Sequence, residues 1–458
     1  MTNASKGQLP LTWLGIARLG LVQAMLGAVV VLTTSTLNRV MVVELALPAL
    51  LPGLLVALHH AVQLSRPRMG FGSDVGGRRT PWILGGMVTL AAGGALAAVA
   101  TAWMAQDRLA GIALAVVAFG AVGLGASAAG TSLLVLLAKR VEEPRRAGAA
   151  AVVWVMMIMG FAVSAGASAP WLDPYTPQRL MAVSAVVSLL AIAVTALALW
   201  GLEGHGAVLA DAPKARPDFS KALADVWADA DARRFTVFVF VSMLAYSTQD
   251  LILEPFAGAV FGYTPGATTQ LSSGQHQGTL AGMLLAALAG RRIRGRRLGS
   301  LKAWTVGGCI ASGMALLGLV AAGHLAPHWP LRANVFALGV ANGAFSIAAI
   351  GSMMSLAGAG SASGTQRREG TRMGLWGAAQ AIGFALGGLF GAAASDVARW
   401  LIADMGPAYA AVFLLEAGLF IGAAWLAARL QGVPAVPARP DTSTPRAAVA
   451  GWSTGGTS

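Results

Sequence analysis

Charge is the scarcest commodity in this sequence. Only 11% of its 458 residues are Asp, Glu, Lys or Arg, less than half of the roughly 25% usual in a soluble domain. What charge there is falls in short segments between long apolar runs, which excludes a globule with water as its main solvent. Cysteine is nearly absent too. The single Cys309 lies inside an apolar run, so neither a disulfide framework nor a cysteine metal site can be built, and packing is its expected role. There is no G-x-x-x-x-G-K-[ST] loop, which removes ATP hydrolysis by that route. Ser/His/Asp order, metal-ligand spacing and a dinucleotide glycine pattern are also missing, so no enzymatic role is expected. The N-terminus carries Lys6 and an apolar stretch, but no small-residue cleavage site follows before the next polar turn, and the first helix is expected to be retained.

What is there is apolar: 56% of the residues, with 58 glycines. A helix needs about 20 apolar residues to cross the hydrocarbon layer. Runs of that kind fall near 15–36, 46–64, 81–104, 110–138, 147–170 and 180–202, and again near 235–256, 273–290, 303–323, 332–357, 373–395 and 408–430. The expected fold is therefore all-α, a polytopic membrane protein of about twelve spans. With both termini placed in the cytoplasm, inside segments hold 26 of the 32 Lys and Arg residues and outside loops hold five: Arg39, Arg108, Arg179, Arg332 and Arg399. Arg18 is left within the first span. This bias sets the orientation. It also accounts for the formal charge of +13 without nucleic acid, for which no motif of the usual kinds is present. Trp13, Trp82, Trp103, Trp171, Trp200, Trp329 and Trp400 fall where spans should meet headgroups and read as interfacial anchors.

The longest polar stretch runs from Glu203 to Arg234 at the chain's midpoint. The expected organisation is a six-helix half over 1–202, a cytoplasmic linker over 203–234, a second six-helix half over 235–430 and a disordered tail over 431–458. Within the linker, Phe219, Leu223, Val226 and Trp227 recur at helical spacing, as in a short amphipathic helix on the membrane surface.

The two halves echo each other. Arg145, Arg146 and Gly148 end the fourth loop as Arg372 and Gly374 end its counterpart, and Gly77, Arg78 and Arg79 are answered by Gly295, Arg296 and Arg297. The second loop, from Gly70 through Asp74 to Gly77, Arg78 and Arg79, resembles the major facilitator signature G-x-x-x-D-[RK]-x-G-[RK]-[RK], with Val75 in place of a basic residue. Asp74 can accept hydrogen bonds at a helix end and pair with arginines, and the glycines permit a tight turn, so the cluster can latch one face. A plain positively charged loop needs the arginines but not the ordered Asp and Gly. Gly383, Gly387 and Gly391 recur every four residues and read as close helix packing rather than ligand chemistry.

Three further stretches are more specific. They are Leu37–Pro48 with Asn38, Arg39 and Glu44; Leu58, His59 and His60 through Arg66, Pro67 and Arg68; and Tyr246–Phe256 with Gln249, Asp250, Glu254 and Pro255. Together with Gly262, Pro265, Gln275 and His276 they resemble the PucC/LhaA family, the bacteriochlorophyll delivery family, in outline over residues 10–430. The resemblance implies a protein of the inner, intracytoplasmic membrane of a phototrophic bacterium. It implies help in assembling light-harvesting antenna complexes by handling bacteriochlorophyll or the antenna polypeptides.

The polar residues within spans each carry two readings. Asp250 and Glu254 share one helix face near the outer end of the seventh span. There they can carry protons, engage a partner or meet Arg39, or else form a solvated pair at the mouth, with Pro255 ending the helix. Asn38, Arg39 and Glu44 flank the end of the first span and can hold an outer gate by ion pairing, or serve as interfacial anchors. Glu416 lies eight residues into the last span, about 12 Å deep at 1.5 Å per residue. At that depth it must be protonated, paired or facing a polar cavity. A neutral imidazole can donate a lone pair to a metal, and the magnesium of a chlorophyll takes such an axial ligand. His59, His60 and His276 are therefore candidate pigment ligands. Against that, His59 and His60 precede a basic loop, and His276 sits beside Gln275 and Gln277 near a membrane boundary. The competing function is a proton-coupled carrier of a small apolar solute, titrating through Asp250, Glu254 or Glu416. A third is a scaffold that holds antenna complexes without touching pigment.

Overall fold

The computed structural model describes residues 11–65, 78–203, 227–289, 292–293, 296–297, 299–359 and 369–430. These residues form twelve helices. In the first half they are α1 (Trp13–Glu44), α2 (Leu50–Val62, continued by a 3₁₀ turn Gln63–Ser65), α3 (Thr80–Trp103), α4 (Arg108–Arg140), α5 (Glu143–Ser168) and α6 (Pro177–Leu199). In the second they are α7 (Ala230–Phe261), α8 (Pro265–Ala289), α9 (Leu301–Leu325), α10 (Leu331–Ala359), α11 (Glu369–Leu401) and α12 (Met405–Ala428). Arg292–Ile293 and Arg296–Arg297 make a two-residue antiparallel pairing between α8 and α9. The expected amphipathic helix at 219–227 lies almost wholly outside the described residues, as do Asp74, Gly77, Arg367, Arg368 and the tail from Gln431.

The helix starts follow from local chemistry. Thr12, Asp107, Thr176, Ser300 and Asp404 each accept a hydrogen bond from an otherwise orphaned amide of the first turn. Pro81, Pro144 and Pro177 occupy first-turn positions, where a missing N–H costs nothing. Ten of the helices are long and apolar enough to cross a membrane among the described residues. Of the other two, α2 reaches the boundary of the described residues after a short apolar run, and α8 is long but polar.

Each half repeats one scheme of neighbours. α1 lies on α5, α2 on α4, α3 on α4 and α6; correspondingly α7 lies on α11, α8 on α10, α9 on α10 and α12. The halves meet chiefly where α2 crosses α11 and α5 crosses α8. Glycine permits the closest crossings. A Cβ on Gly125 would sit 2.3 Å from the amide of Leu90, one on Gly282 2.0 Å from the carbonyl of Val340, and one on Gly387 2.3 Å from that of Leu244. The repeat of Gly383, Gly387 and Gly391 thus faces the backbone of α7. One apolar core runs from Phe235 to Ala427 and another from Leu11 to Leu202, so each half encloses its own.

Several span limits differ from those read off the sequence, and polar residues are the reason. α1 continues to Glu44 rather than stopping near 36, because the polarity of Asn38 and Arg39 hides a helix that buries both. α8 begins at Pro265 rather than 273, since Thr268, Thr269, Ser272, Ser273 and Gln275 are all buried. α7 extends past Pro255 to Phe261.

Candidate functional site

The end of the bundle that bears the arginine-poor loops is where the halves are tied together, and α1 supplies most of the ties. Two π-helical turns, Leu32–Thr36 and Val40–Glu44, interrupt α1 on either side of Leu37–Arg39. Such bulges shift the register of the side chains that follow and gather at functional sites. Here they turn successive polar residues toward the second half. Ser35 Oγ donates to Glu254 Oε1 at 2.5 Å, Thr36 and Thr269 share a hydroxyl contact at 3.2 Å, and Arg39 Nη2 donates to the Tyr263 carbonyl at 2.7 Å.

Asn38 makes the most telling of these bonds. Pro255 stands inside α7 and has no N–H to give to the carbonyl four residues earlier, which is that of Leu251. Asn38 Nδ2 donates to that carbonyl at 2.7 Å, so a residue of one half completes the backbone of the other. Pro255 therefore does not end the helix, as the sequence suggested; its defect is repaired from outside.

Two carboxylates missed in the sequence complete this end. Asp396 of α11 accepts from the amides of Ala49 and Leu50, at 2.9 and 2.7 Å, and pairs with Arg399. Asp173, in the turn after α5, accepts from Thr264 Oγ1 at 2.7 Å and from the Gly266 amide at 3.0 Å. Their positions at predicted span edges made them look like loop residues.

Arg39 pairs with Glu44, as an outer gate would require, and is 2% exposed rather than anchored at the surface. Glu254 lies among hydroxyls, those of Ser35, Thr268 and Ser272, and is buried rather than solvated at a mouth. Asp250, one turn earlier, is packed among helices yet keeps some accessible surface, as does Tyr246. Glu416 and Gln249 are fully buried, and among the described residues no side chain hydrogen-bonds the carboxyl of the one or the amide group of the other. Glu416 has the Gln249 backbone and the Asp250 carboxyl as its electrostatic neighbours. An unmet polar group of this kind costs about 1–3 kcal/mol.

The three histidines separate. His59 is 2% exposed, its Nε2 2.9 Å from Gln63 Nε2. His60, also beside Gln63, is half-buried and stacks on Phe384 of α11 with centroids 5.9 Å apart, and Phe384 in turn meets Tyr246. His276 is not at a membrane boundary. It lies eleven residues into α8, about 16 Å along its axis, half-buried beside Phe161 of α5.

At the arginine-rich end, Arg78 is exposed and Arg79 buried. The amides of Arg79 and Thr80 both donate to the carboxylate of Glu203, the second at 2.7 Å, and Arg140 Nη1 reaches the Glu203 carbonyl at 3.0 Å. Burial opposes the charged form of Glu203. Hydrogen bonds from Thr80 and from the two amides, with the nearby charge of Arg78, outweigh it and hold the group below its ordinary range.

Two shallow surface grooves of about 430 and 420 Å³ lie between α9 and α10 beside Trp304 and between α3 and α4 beside Trp82. Both are apolar.

Twelve helices in two repeated halves, tied at one end around a polar interior, define a multi-pass membrane protein of major facilitator fold. The architecture matches that of a bacterial homologue of the human drug peptide transporters PepT1 and PepT2, with a TM-score of 0.64 and 16% identity over 91% of this chain and 97% of that one. Within this class, residues 36–433 match the family described as PUCC protein, and the chain belongs to that family. It is 51% identical to the bacteriochlorophyll synthase 44.5 kDa chain of Rhodobacter capsulatus, over 91% of this chain and 95% of the relative. It is 29% identical to Protein PucC of Cereibacter sphaeroides, over 91% of each.

Proposed function

We propose that this protein is a light-harvesting assembly factor of a phototrophic bacterium that binds bacteriochlorophyll inside the bilayer and delivers it to antenna polypeptides. The observation that carries this reading is a polar, aromatic-lined interior within a chain half identical to a protein named as a bacteriochlorophyll synthase chain. The reading places the arginine-rich loops and both termini in the cytoplasm, with residues 1–202 and 235–430 as the two halves, 203–234 as their linker and 431–458 as a tail. The gate around Arg39, Glu44 and Glu254 then closes the outer side.

The test is purification in mild detergent from phototrophically grown cells, followed by near-infrared spectroscopy and identification of co-purifying polypeptides. Stoichiometric pigment or antenna polypeptide supports the reading. Material free of both, under conditions that preserve other assembly complexes, refutes it.

A second reading, a proton-coupled carrier of a small apolar solute, draws on Asp250 packed among the helices with Glu416 in electrostatic reach. Proton-driven solute flux in pigment-free vesicles, abolished by Asp250→Asn, would favour it over pigment delivery.

A further inference from the structure

His276 differs from the other histidines in how its ring is held. Its Nδ1 lies 2.8 Å from the backbone carbonyl of Ser272. A carbonyl can only accept, so in the neutral ring the proton is on Nδ1 and the lone pair on Nε2. Among the described residues no hydrogen bond to Nε2 occurs, and the ring keeps accessible surface. The edge of Phe161 meets the ring at 5.0 Å and 66°. Phe161 is itself fixed against α1, where a Cβ on Gly27 would come within 2.9 Å of its ring atoms. The imidazole is thus oriented by a backbone bond and a clamped neighbour, the arrangement by which proteins set a metal-ligating tautomer.

One oriented imidazole cannot hold a free divalent ion, which needs several ligands. It matches a metal that already carries four equatorial nitrogens and lacks only an axial one. Resting on the pigment-handling reading above, we infer that His276 Nε2 is the axial ligand for the magnesium of a bound tetrapyrrole. His59 is buried, and both it and His60 have a ring nitrogen against the Gln63 amide, which leaves His276 as the residue to which we assign this role. The site then discriminates by metal content: the magnesium pigment is ligated, and its magnesium-free counterpart forfeits that bond.

The experiment titrates purified wild-type protein, His276→Ala, His276→Gly and the double variant His59→Ala/His60→Ala with bacteriochlorophyll a and, separately, with bacteriopheophytin a. It reads affinity by tryptophan quenching and magnesium coordination number by resonance Raman. Wild type should prefer the magnesium pigment and hold it five-coordinate. His276→Ala should bind it at least tenfold more weakly while its affinity for bacteriopheophytin is unchanged, and imidazole should restore the five-coordinate signature to His276→Gly. Because bacteriopheophytin affinity is read in the same preparation, a misfolded variant shows itself by losing both pigments. The Gly variant with imidazole then decides, and failure of that rescue overturns the inference. A His276→Ala protein with wild-type affinity and coordination, or loss confined to His59→Ala/His60→Ala, also overturns it while leaving pigment handling intact. A wild-type protein that binds neither pigment overturns both.

Discussion

Asp173 and Asp396 perform the same exchange in opposite directions. Asp396, on α11 of the second half, caps the start of α2 in the first; Asp173, after α5 of the first half, caps the start of α8 in the second. α5 and α11 are counterparts, as are α2 and α8, so the internal repeat yields a pair of reciprocal clasps. Each places a carboxylate against a helix N-terminus, where backbone amides and the macrodipole both favour negative charge.

Removing both clasps should loosen this end of the bundle. In a Cys309→Ala background with a single cysteine at position 36, Asp173→Ala/Asp396→Ala should raise the rate of labelling by an impermeant maleimide by about tenfold, the factor that roughly 1.4 kcal/mol confers. Either single variant should fall between. An unchanged rate in the double variant would show that the clasps do not hold the gate.

The bond from Asn38 to the Leu251 carbonyl exists because of Pro255, and a double-mutant cycle exposes the dependence. Asn38→Ala should destabilise the detergent-solubilised protein by about 1–3 kcal/mol, the usual cost of a buried polar group left unpaired. In a Pro255→Ala background, α7 can satisfy that carbonyl itself, so the same Asn38→Ala change should cost distinctly less. Additive effects in thermal denaturation would contradict the repair.

How far the sequence disclosed this site can be judged from these residues. Asn38, Arg39 and Glu44 stood out through the family resemblance, and Glu254 because a carboxylate in a membrane span is expensive; the structure sets all four at the joint between the halves. What stayed hidden was distance. Hydropathy ended the first span before Asn38, the seventh at Pro255 and delayed the eighth past Thr269, so residues within helices looked like rim residues. The partners were hidden for the same reason: Asp173 and Asp396 bond to backbone amides more than 90 positions away, and a backbone amide leaves no trace in composition. The twelve-fold alternation of apolar runs and the arginine bias depend only on local composition, and they were legible throughout.

Glu203 provides a pH test outside the membrane. Its folded-state pKa lies below the ordinary value of 4.5, so its contribution to stability is fully present above about that value and is lost as pH falls through the lower folded value. Glu203→Gln should therefore lower the unfolding temperature at pH 7, and the gap from wild type should narrow below pH 4.5. A gap that stays constant or widens on acidification would exclude the capping charge as its source.

Gly387 and Gly274 form a matched pair. A methyl group on Gly387 would collide with the Leu244 carbonyl, whereas one on Gly274 meets nothing within 4 Å. Gly387→Ala should cost about 1–3 kcal/mol through overpacking and lower the yield of monodisperse protein, while Gly274→Ala should be nearly silent. Equal behaviour would mean that α7 and α11 do not approach as described.

The buried hydroxyls and amide of α8, from Thr268 to Thr279, bear on how the chain is made. A segment this polar gains too little from lipid to leave the translocon alone, and its main neighbour, α10, is synthesised some forty residues later. During biogenesis α8 must therefore wait, sheltered by the finished α5 or by an insertase, until its mate emerges. A chain truncated after α9 would strand it at the exit site as a target for quality-control proteolysis.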